Sequence, residues 1–233
     1  MYDKLNLLNL NINDKKRKIL ENFSQIFVEY NTKLNLISKN EIQFLFPKHI
    51  FDSLSFNLFY EKYINNDCNI NLLDIGTGGG FPSIPIAIVY DNVKITAIDS
   101  TAKKINTVKK IVENLALANI EPICNRIENM DKKYKYDVVV SRAMAELRII
   151  LEYAIPYVKT GGYFVAYKSV KAEDEILRAG NALKLLNAKI VDKLDYELPI
   201  SEKNRRVLLI IKKLKDTPNI YPRLNGIIGK KPL

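Results

Sequence analysis

The segment DIGTGGGFP, residues 74–82, follows a short apolar run at residues 70–75 and precedes a helix-compatible stretch. Glycine readily adopts backbone conformations with positive φ, so this composition predicts a tight turn with bare backbone on which a ligand can lie. The dinucleotide fingerprint G-x-G-x-x-G would place its third glycine at position 81, where this sequence has Phe81. No Gly-Lys-Ser or Gly-Lys-Thr follows, which excludes a phosphate-binding Walker loop.

The glycine spacing is instead G-x-G-x-G after an acidic strand end, a form common in enzymes that use S-adenosylmethionine. The context of strand, turn and helix is the one that such a motif requires. We therefore predict that Gly76 and Gly78 lie against S-adenosylmethionine. A tight connecting turn with no ligand is the alternative, and a dehydrogenase that uses NAD is disfavoured by Phe81.

Two further strand ends favour a nucleoside-containing ligand. Asp99 ends the second predicted strand, residues 93–99, where a carboxylate can accept hydrogen bonds from ribose hydroxyls. Enzymes that use NAD share this device, so Asp99 does not choose between the two cofactors. After the third predicted strand, residues 121–127, Ile127 and Glu128 are placed to frame an adenine; a solvated loop is the alternative for Glu128.

The pattern of the whole chain predicts an α/β fold of the Rossmann-like class I methyltransferase type, with a doubly wound, mainly parallel seven-stranded sheet. Predicted strands and helices alternate after residue 69, and the last two strands, at residues 189–198 and 205–214, read as an antiparallel pair. Helical spacing before this core predicts an N-terminal helical extension, with a further helix opening at Pro47. We assign the extension to residues 1–65, the core to 66–215 and a basic C-terminal tail to 216–233.

Composition restricts the partners and the compartment. The net charge is +10, from 36 Lys and Arg against 26 Asp and Glu, which favours nucleic acid, although a coding bias towards lysine is the alternative. The apolar stretches are too short to span a bilayer, and residues 1–13 lack the apolar run of a signal peptide. Two cysteines without metal-ligand spacing favour a reducing compartment. We expect a cytoplasmic monomer with no metal and no membrane partner.

The residues after the fourth predicted strand limit the methyl acceptor. Methyltransferases that act on amines carry D/N-P-P-Y there, whereas this chain has Ser141-Arg142-Ala143-Met144-Ala145. Methylation at carbon 5 of a pyrimidine needs a cysteine nucleophile. Cys68 precedes the first strand and Cys124 lies in the third, so we expect both to be ordinary buried residues. Neither chemistry fits.

Guanine N7 is an acceptor that needs no general base, because its lone pair lies in the ring plane and no proton leaves. Proximity, alignment and electrostatics then carry the catalysis. Arg142 can hydrogen-bond guanine O6 or a phosphate, and Lys168 on the fifth predicted strand can face the same site. We name Arg142 and Lys168 as candidate catalytic residues; surface cations with no such role are the alternative.

Short motifs along nearly the whole chain resemble the bacterial 16S ribosomal RNA guanine-N7 methyltransferase family, also called the glucose-inhibited division protein B family. Before the core, residues 30–38 resemble N-x-x-x-N-L-T-S and residues 48–54 resemble R-H-I-x-D-S, with Lys48 in place of arginine. Five further segments resemble family motifs. Residues 74–85 resemble D-x-G-T-G-x-G-x-P-G-x-P, residues 99–100 resemble D-S, and residues 141–143 resemble S-R-A. Residues 167–169 resemble L-K-G, and residues 221–226 resemble the carboxyl tail of many members.

This resemblance implies methyl transfer from S-adenosylmethionine to N7 of a guanine in the decoding-region stem-loop of 16S ribosomal RNA. The substrate could be naked RNA, the 30S subunit or an assembly intermediate. The implied cofactor contacts are Gly76, Phe81, Asp99, Ile127, Glu128 and Arg142, and the candidate RNA contacts are Lys48, His49, Arg205, Arg206 and Arg223. A methyltransferase for another RNA, a small molecule or a protein is one alternative. An RNA-binding module with an inactive core is another.

Overall fold

The computed structural model describes residues 2–64, 68–169, 172–200 and 204–233. The boundary that we predict between extension and core, at residues 65 and 66, lies outside these ranges, and the domain bounds stay predictions.

The chain before the sheet is helical. A 3-10 helix at Tyr2–Leu8 precedes α1 (Asp14–Leu34), a second 3-10 helix at Lys39–Phe44, a π-helical turn at Leu45–Ile50, α2 (Phe51–Leu54) and α3 (Phe56–Tyr63). The sequence sets the ends of α1, because the Asn13 side chain accepts a hydrogen bond from Lys16 N and Asn35 closes the helix in the left-handed region. Pro47 lies inside the π-helical turn rather than at a helix start, so the predicted opening was wrong.

Strands and helices then alternate. The elements are β1 (Ile70–Ile75), α4 (Ser83–Val89), β2 (Val93–Asp99), α5 (Ala102–Asn114), β3 (Ile120–Cys124), β4 (Tyr136–Arg142), α6 (Leu147–Ala154), β5 (Val158–Ser169), α7 (Ala172–Arg178), α8 (Gly180–Leu185), β6 (Ala188–Glu197), β7 (Arg205–Lys213) and α9 (Asn225–Lys230). The third predicted strand was too long, because β3 ends at Cys124 and the chain turns into a 3-10 helix at Ile127–Asn129.

The seven strands form one sheet in the order β3-β2-β1-β4-β5-β7-β6. The first five of these run parallel to one another, while β7 is antiparallel to both β5 and β6. The predicted fold class is therefore confirmed. The chain reverses its direction of travel across the sheet between β1 and β4, and ligands in such sheets bind at the carboxyl ends of the strands beside that point.

Both faces of the sheet are covered, since side chains alternate between two apolar clusters. Leu72 and Leu208 pack with the N-terminal helices, α4 and α5, whereas the adjacent Leu73 and Leu209 pack with α6 and α8. The N-terminal helices therefore complete one face of the core. No helix in the described ranges is long and apolar enough to cross a membrane.

Our prediction for the two cysteines was wrong: both Cys68 and Cys124 are exposed. Cys68 lies in the segment before β1. Cys124 is the last residue of β3, which forms the edge of the sheet, so its side chain has no strand beyond it to pack against.

Candidate active site

The first of two adjoining cavities, which we call the cofactor cavity, lies at the carboxyl ends of β1, β2 and β4 and encloses about 380 Å³. Its walls include five of the predicted cofactor residues besides Arg142: Gly76, Gly78, Asp99, Ile127 and Glu128. The fold therefore places these residues around one cavity, beside the point where the strand order reverses.

The glycine turn supplies one wall of bare backbone. Gly76 and Gly78 both have positive φ, of 77° and 57°. A Cβ atom at Gly76 would lie 3.1 Å from the sulfur of Met144, so a side chain there would be strained in conformation and crowded as well. The turn is fixed to β2, because the amides of Gly76 and Thr77 both donate to Ile98 O, at 2.9 and 3.0 Å.

Asp99 connects the glycine turn to the start of α5. Its Oδ2 accepts a hydrogen bond from Gly78 N at 3.0 Å, and its Oδ1 accepts one from Thr101 N at 2.8 Å. A carboxylate has about four acceptor positions, so each oxygen retains one for a ligand. Asp99 is therefore held in place by backbone and still able to receive two hydroxyl groups.

The loop that follows β3 forms the remaining wall of the cofactor cavity. Ile127 is buried, and its carbonyl accepts a hydrogen bond from the Tyr157 hydroxyl at 2.5 Å. Asn125 and the buried Tyr153 of α6 also line the cavity, and sequence reasoning missed both. Nothing in the local pattern of α6 marks Tyr153, because its position depends on how that helix packs against the sheet. Asn125 could have been predicted, because it directly follows the end of β3.

The cavity fits S-adenosylmethionine on three counts. The bare backbone of the glycine turn admits a close ligand, Asp99 offers acceptors for ribose hydroxyls, and Ile127 with Tyr153 offers apolar surface for an adenine. Phe81 is an exception among the predicted contacts, because it lines neither cavity. Its ring is buried in an aromatic cluster with Phe23, Phe27 and His49, where it joins the N-terminal helices to the core. The Phe81 side chain therefore has a packing role, and its expected contact with the cofactor stays a prediction.

The second cavity, which we call the acceptor cavity, encloses about 660 Å³ and shares Arg142, Ala143 and Met144 with the first. Four cationic and four acidic side chains line it: Lys48, Arg142, Lys168 and Arg206, with Glu41, Asp52, Glu146 and Glu175. The charges balance formally, so this cavity is not a simple phosphate site. The mixture of donors and acceptors suits a polar aromatic ring.

Arg142, at the end of β4, lies where the two cavities meet. Its Nη1 donates to Asp52 Oδ2 and to Lys48 O, both at 3.0 Å, and its guanidinium lies over the Phe81 ring at 5.3 Å. The Arg142 side chain is 15% exposed, so the alternative of a free surface cation does not describe it. The helical extension therefore contributes directly to the walls of the site.

Lys168, the other candidate catalytic residue, lines only the acceptor cavity. Its ammonium donates to Glu175 Oε2 and to Ala145 O, both at 2.6 Å, and Glu175 also accepts from Leu147 N. Glu175 thus neutralises most of the field that Lys168 would otherwise direct at a substrate. The two predicted catalytic cations therefore differ, since only Arg142 is placed beside both cavities.

His49 is neutral in this arrangement. Its Nδ1 lies 3.1 Å from Arg142 Nη2, and because arginine can only donate, Nδ1 accepts and the proton belongs on Nε2. Burial, with the charges of Arg142 and Lys48, lowers the pKa of His49 to about 3. His49 therefore holds Arg142 and has no lone pair free at Nδ1 with which to remove a proton.

We expect this burial to make His49 destabilising in acid. Below pH 6.5 the unfolded chain binds a proton at His49 and the folded chain does not. The free energy of unfolding therefore falls by up to about 1.4 kcal/mol for each pH unit. Burial also raises the pKa of Asp74 to about 7, and this acts in the opposite sense. The comparison must therefore be between the wild type and His49→Gln. Between pH 6.5 and 5 the wild type should lose about 1.7 kcal/mol of unfolding free energy relative to the variant in urea unfolding. If the free energies of unfolding of the wild type and His49→Gln changed with pH in parallel, burial of His49 would not have this effect.

The predicted RNA contacts divide into two groups. Lys48, His49 and Arg206 line the acceptor cavity, and the exposed Arg205 adjoins them on β7. Arg223 lies elsewhere, with its guanidinium bound to the buried Glu152 of α6 at 2.6 and 2.7 Å. Arg223 thus anchors the C-terminal segment to the core, and its charge is already paired.

Comparison with known proteins identifies the family of this chain. The family model for GidB, rRNA small subunit methyltransferase G, matches residues 16–199. A Streptococcus pneumoniae (strain G54) protein named ribosomal RNA small subunit methyltransferase G is 38% identical over 100% of this chain and 98% of its own length. The protein of that name from Staphylococcus saprophyticus is 36% identical, over 96% and 93%.

Solved structures with a similar fold include M. jannaschii TYW2 in complex with AdoMet, with a TM-score of 0.52 and 17% identity over 63% of this chain and 70% of that one. The Methanococcus jannaschii fibrillarin pre-rRNA processing protein gives a TM-score of 0.51 and 18% identity, over 66% and 71%. At these identities the likeness shows the fold alone, which is that of Rossmann-like methyltransferases. From the family match and the full-length relatives, this chain belongs to the rRNA small subunit methyltransferase G family and is an S-adenosylmethionine-dependent methyltransferase.

Proposed function

We propose that this protein transfers the methyl group of S-adenosylmethionine to N7 of one guanine in the decoding-region stem-loop of 16S ribosomal RNA. The relatives' names give the class of substrate, the RNA of the small ribosomal subunit. The observation that carries the choice of N7 is the acceptor cavity, where three of the four acidic side chains pair with cations and the fourth, Glu41, accepts from the Ser38 hydroxyl at 3.3 Å. Asp52 pairs with Arg142, Glu175 with Lys168, and Glu146 with Arg148 and Arg178.

The Asp52 and Glu175 oxygens that accept from Arg142 and Lys168 are already engaged and are not placed to take a proton from a substrate. His49 is equally unsuited, since its Nδ1 accepts from Arg142. Amine methylation would leave a proton to be removed, and carbon-5 methylation would need a thiol. Cys68 and Cys124 are both outside the acceptor cavity. Guanine N7 needs neither a base nor a thiol, so it is the acceptor that this cavity serves best.

When bound, S-adenosylmethionine supplies a methyl group that is electrophilic because its sulfur is positively charged. The glycine turn, Asp99 and Ile127 would hold it in the cofactor cavity, which Arg142 also lines. The chain's own residues then align a base in the acceptor cavity and exclude water around it. Catalysis of this kind rests on proximity and a prearranged electrostatic field.

The natural substrate is testable by methyl transfer from tritiated S-adenosylmethionine to naked 16S RNA, to 30S subunits and to assembly intermediates, all from cells lacking the gene. We expect label in small-subunit RNA, and none in naked 23S RNA added as a separate control, because the family's relatives are named for the small subunit. Label confined to protein, transfer RNA or a small molecule would contradict the proposal. Binding of RNA without transfer would instead favour an inactive RNA-binding module. We also propose that the enzyme acts as a monomer, in the cytoplasm, where ribosomes assemble.

Neutralising Arg205 and Arg206 together should weaken RNA binding and leave the affinity for S-adenosylmethionine unchanged. Arg205 is exposed and Arg206 borders the acceptor cavity, so both can contact phosphates. Each lost phosphate contact lowers the slope of log affinity against log salt by about 0.7–0.9. Filter binding from 50 to 300 mM salt measures that slope. Lys94→Gln, an exposed cation on β2 far along the strand from either cavity, is the control, and equal slopes for Arg205→Gln/Arg206→Gln and the wild type would exclude these contacts.

A further inference from the structure

Asp52 and Tyr196 form a buried chain of hydrogen bonds that ends at Arg142, and we call this pair of residues the relay. Asp52 Oδ2 accepts from Arg142 Nη1 at 3.0 Å, and Asp52 Oδ1 accepts from the Tyr196 hydroxyl at 2.6 Å. These residues come from three distant parts of the chain: the N-terminal helices, the end of β4 and the strand β6 at the edge of the sheet. The two hydrogen bonds fix the orientation of the Asp52 carboxylate, and the carboxylate in turn fixes the orientation of the Arg142 guanidinium.

The relay leaves part of Arg142 available. Arginine carries five N–H donors in a planar fork. The described residues accept three hydrogen bonds from Arg142, at Lys48 O, Asp52 Oδ2 and His49 Nδ1. The two other donors, the Nε hydrogen and one on Nη2, belong to a group that borders both cavities. Because the fork is planar, fixing Nη1 and one side of Nη2 also fixes the direction of those two donors.

We propose that Asp52 and Tyr196 are positioning residues for methyl transfer, which hold the guanidinium of Arg142 so that its free donors meet the O6 atom of the acceptor guanine. This inference rests on the proposed function. Arginine commonly binds both O6 and N7 of guanine. Here N7 must keep its lone pair for the methyl group, so Arg142 has to contact O6 alone. A guanidinium free to rotate would also bind N7 and block the reaction.

The relay predicts specificity as well as rate. An adenine would present its N6 amino group, a donor, at the place where guanine presents O6, an acceptor. Two donors would then oppose each other in a partly buried site, which is costly because neither finds a partner. Asp52 and Tyr196 thus contribute to the choice of guanine by preventing Arg142 from turning away.

The test measures single-turnover methyl transfer to the RNA substrate by Tyr196→Phe and Asp52→Asn, alone and combined with Arg142→Lys. Tyr196→Phe removes one hydroxyl, and we expect about a tenfold lower rate; Asp52→Asn should lose about 100-fold, because a small misplacement of a catalytic group has effects of this size. Affinity for S-adenosylmethionine should not change. Tyr90→Phe is the matched control, since its buried hydroxyl donates to Asn57 and not to the relay.

The double variants separate positioning from a purely structural role. If Tyr196 acts through Arg142, Tyr196→Phe should cost little further rate once Arg142 is lysine, whereas independent effects on folding would multiply. An unchanged rate for Tyr196→Phe, or a loss that persists in full in the Arg142→Lys background, would overturn the proposal. Should Asp52→Asn fail to fold, the Tyr196 cycle decides alone. Absence of transfer by the wild type would instead refute the proposed function, so the two failures are distinguishable.

Discussion

Replacing Arg142 with alanine should lower the single-turnover rate of methyl transfer by about 100-fold or more at saturating S-adenosylmethionine, because a prearranged donor beside the reacting base is lost. The same change leaves Asp52 buried without its cation, and we expect a loss of about 3–5 kcal/mol in the free energy of unfolding. The rate must therefore be normalised to the folded fraction, measured by circular dichroism at the assay temperature.

Two further variants distinguish the charge of Arg142 from its geometry. Arg142→Lys keeps the charge but not the planar fork, so it should recover stability more than rate. Lys168→Ala should reduce the rate much less than Arg142→Ala, because Glu175 already neutralises Lys168. A rate for folded Arg142→Ala equal to that of the wild type would show that Arg142 has only a structural role.

Replacing Asp99 with alanine should weaken binding of S-adenosylmethionine by about 1.5–3 kcal/mol, which is roughly a 10- to 150-fold rise in Kd. The carboxylate both receives ligand hydroxyls and holds the glycine turn through Gly78 N. Asp99→Asn retains one oxygen and should lose less. Isothermal calorimetry measures the affinities, with Asp91→Ala, an exposed carboxylate paired with Lys16, as the control.

The wild type should show no binding of NAD in the same calorimeter. Phe81 occupies the place of the third glycine of a dinucleotide fingerprint, and its ring is packed among Phe23, Phe27 and His49. Tight NAD binding, or an unchanged Kd for Asp99→Ala, would contradict our assignment of the cofactor cavity.

The fold and the cofactor cavity could be predicted because their signals are local. Gly76 and Gly78 lie in one turn, Asp99 ends the next strand along the chain, and Ile127 closely follows the strand after that. Parallel strands bring their carboxyl ends to one edge, so placing the strands also placed these residues. The extent of β3 was less predictable, because the apolar Ile127 follows the strand closely but belongs to the 3-10 helix at Ile127–Asn129.

The acceptor side was less accessible to sequence reasoning because its contacts join distant segments. Asp52 meets Arg142 across 90 residues and Tyr196 across 144, and neither pairing leaves a mark in local spacing. Arg223 has a partner that local spacing did not indicate either. It read as a free cation in a basic tail, yet Glu152, a buried acid inside an apolar helix, binds it. A buried charge implies a partner, but the sequence alone does not say which.

The measurement that bears most directly on our central claim is the position of the methyl group in the RNA. N7-methylguanine is reduced by borohydride, and the strand then breaks at that nucleotide with aniline. We expect one such break in 16S RNA, within the decoding-region stem-loop, in wild-type cells. It should be absent when the gene is deleted and restored by the wild-type gene but not by Asp99→Ala. A break that survives deletion, or methyl label found on an exocyclic amine or a ring carbon, would contradict the account.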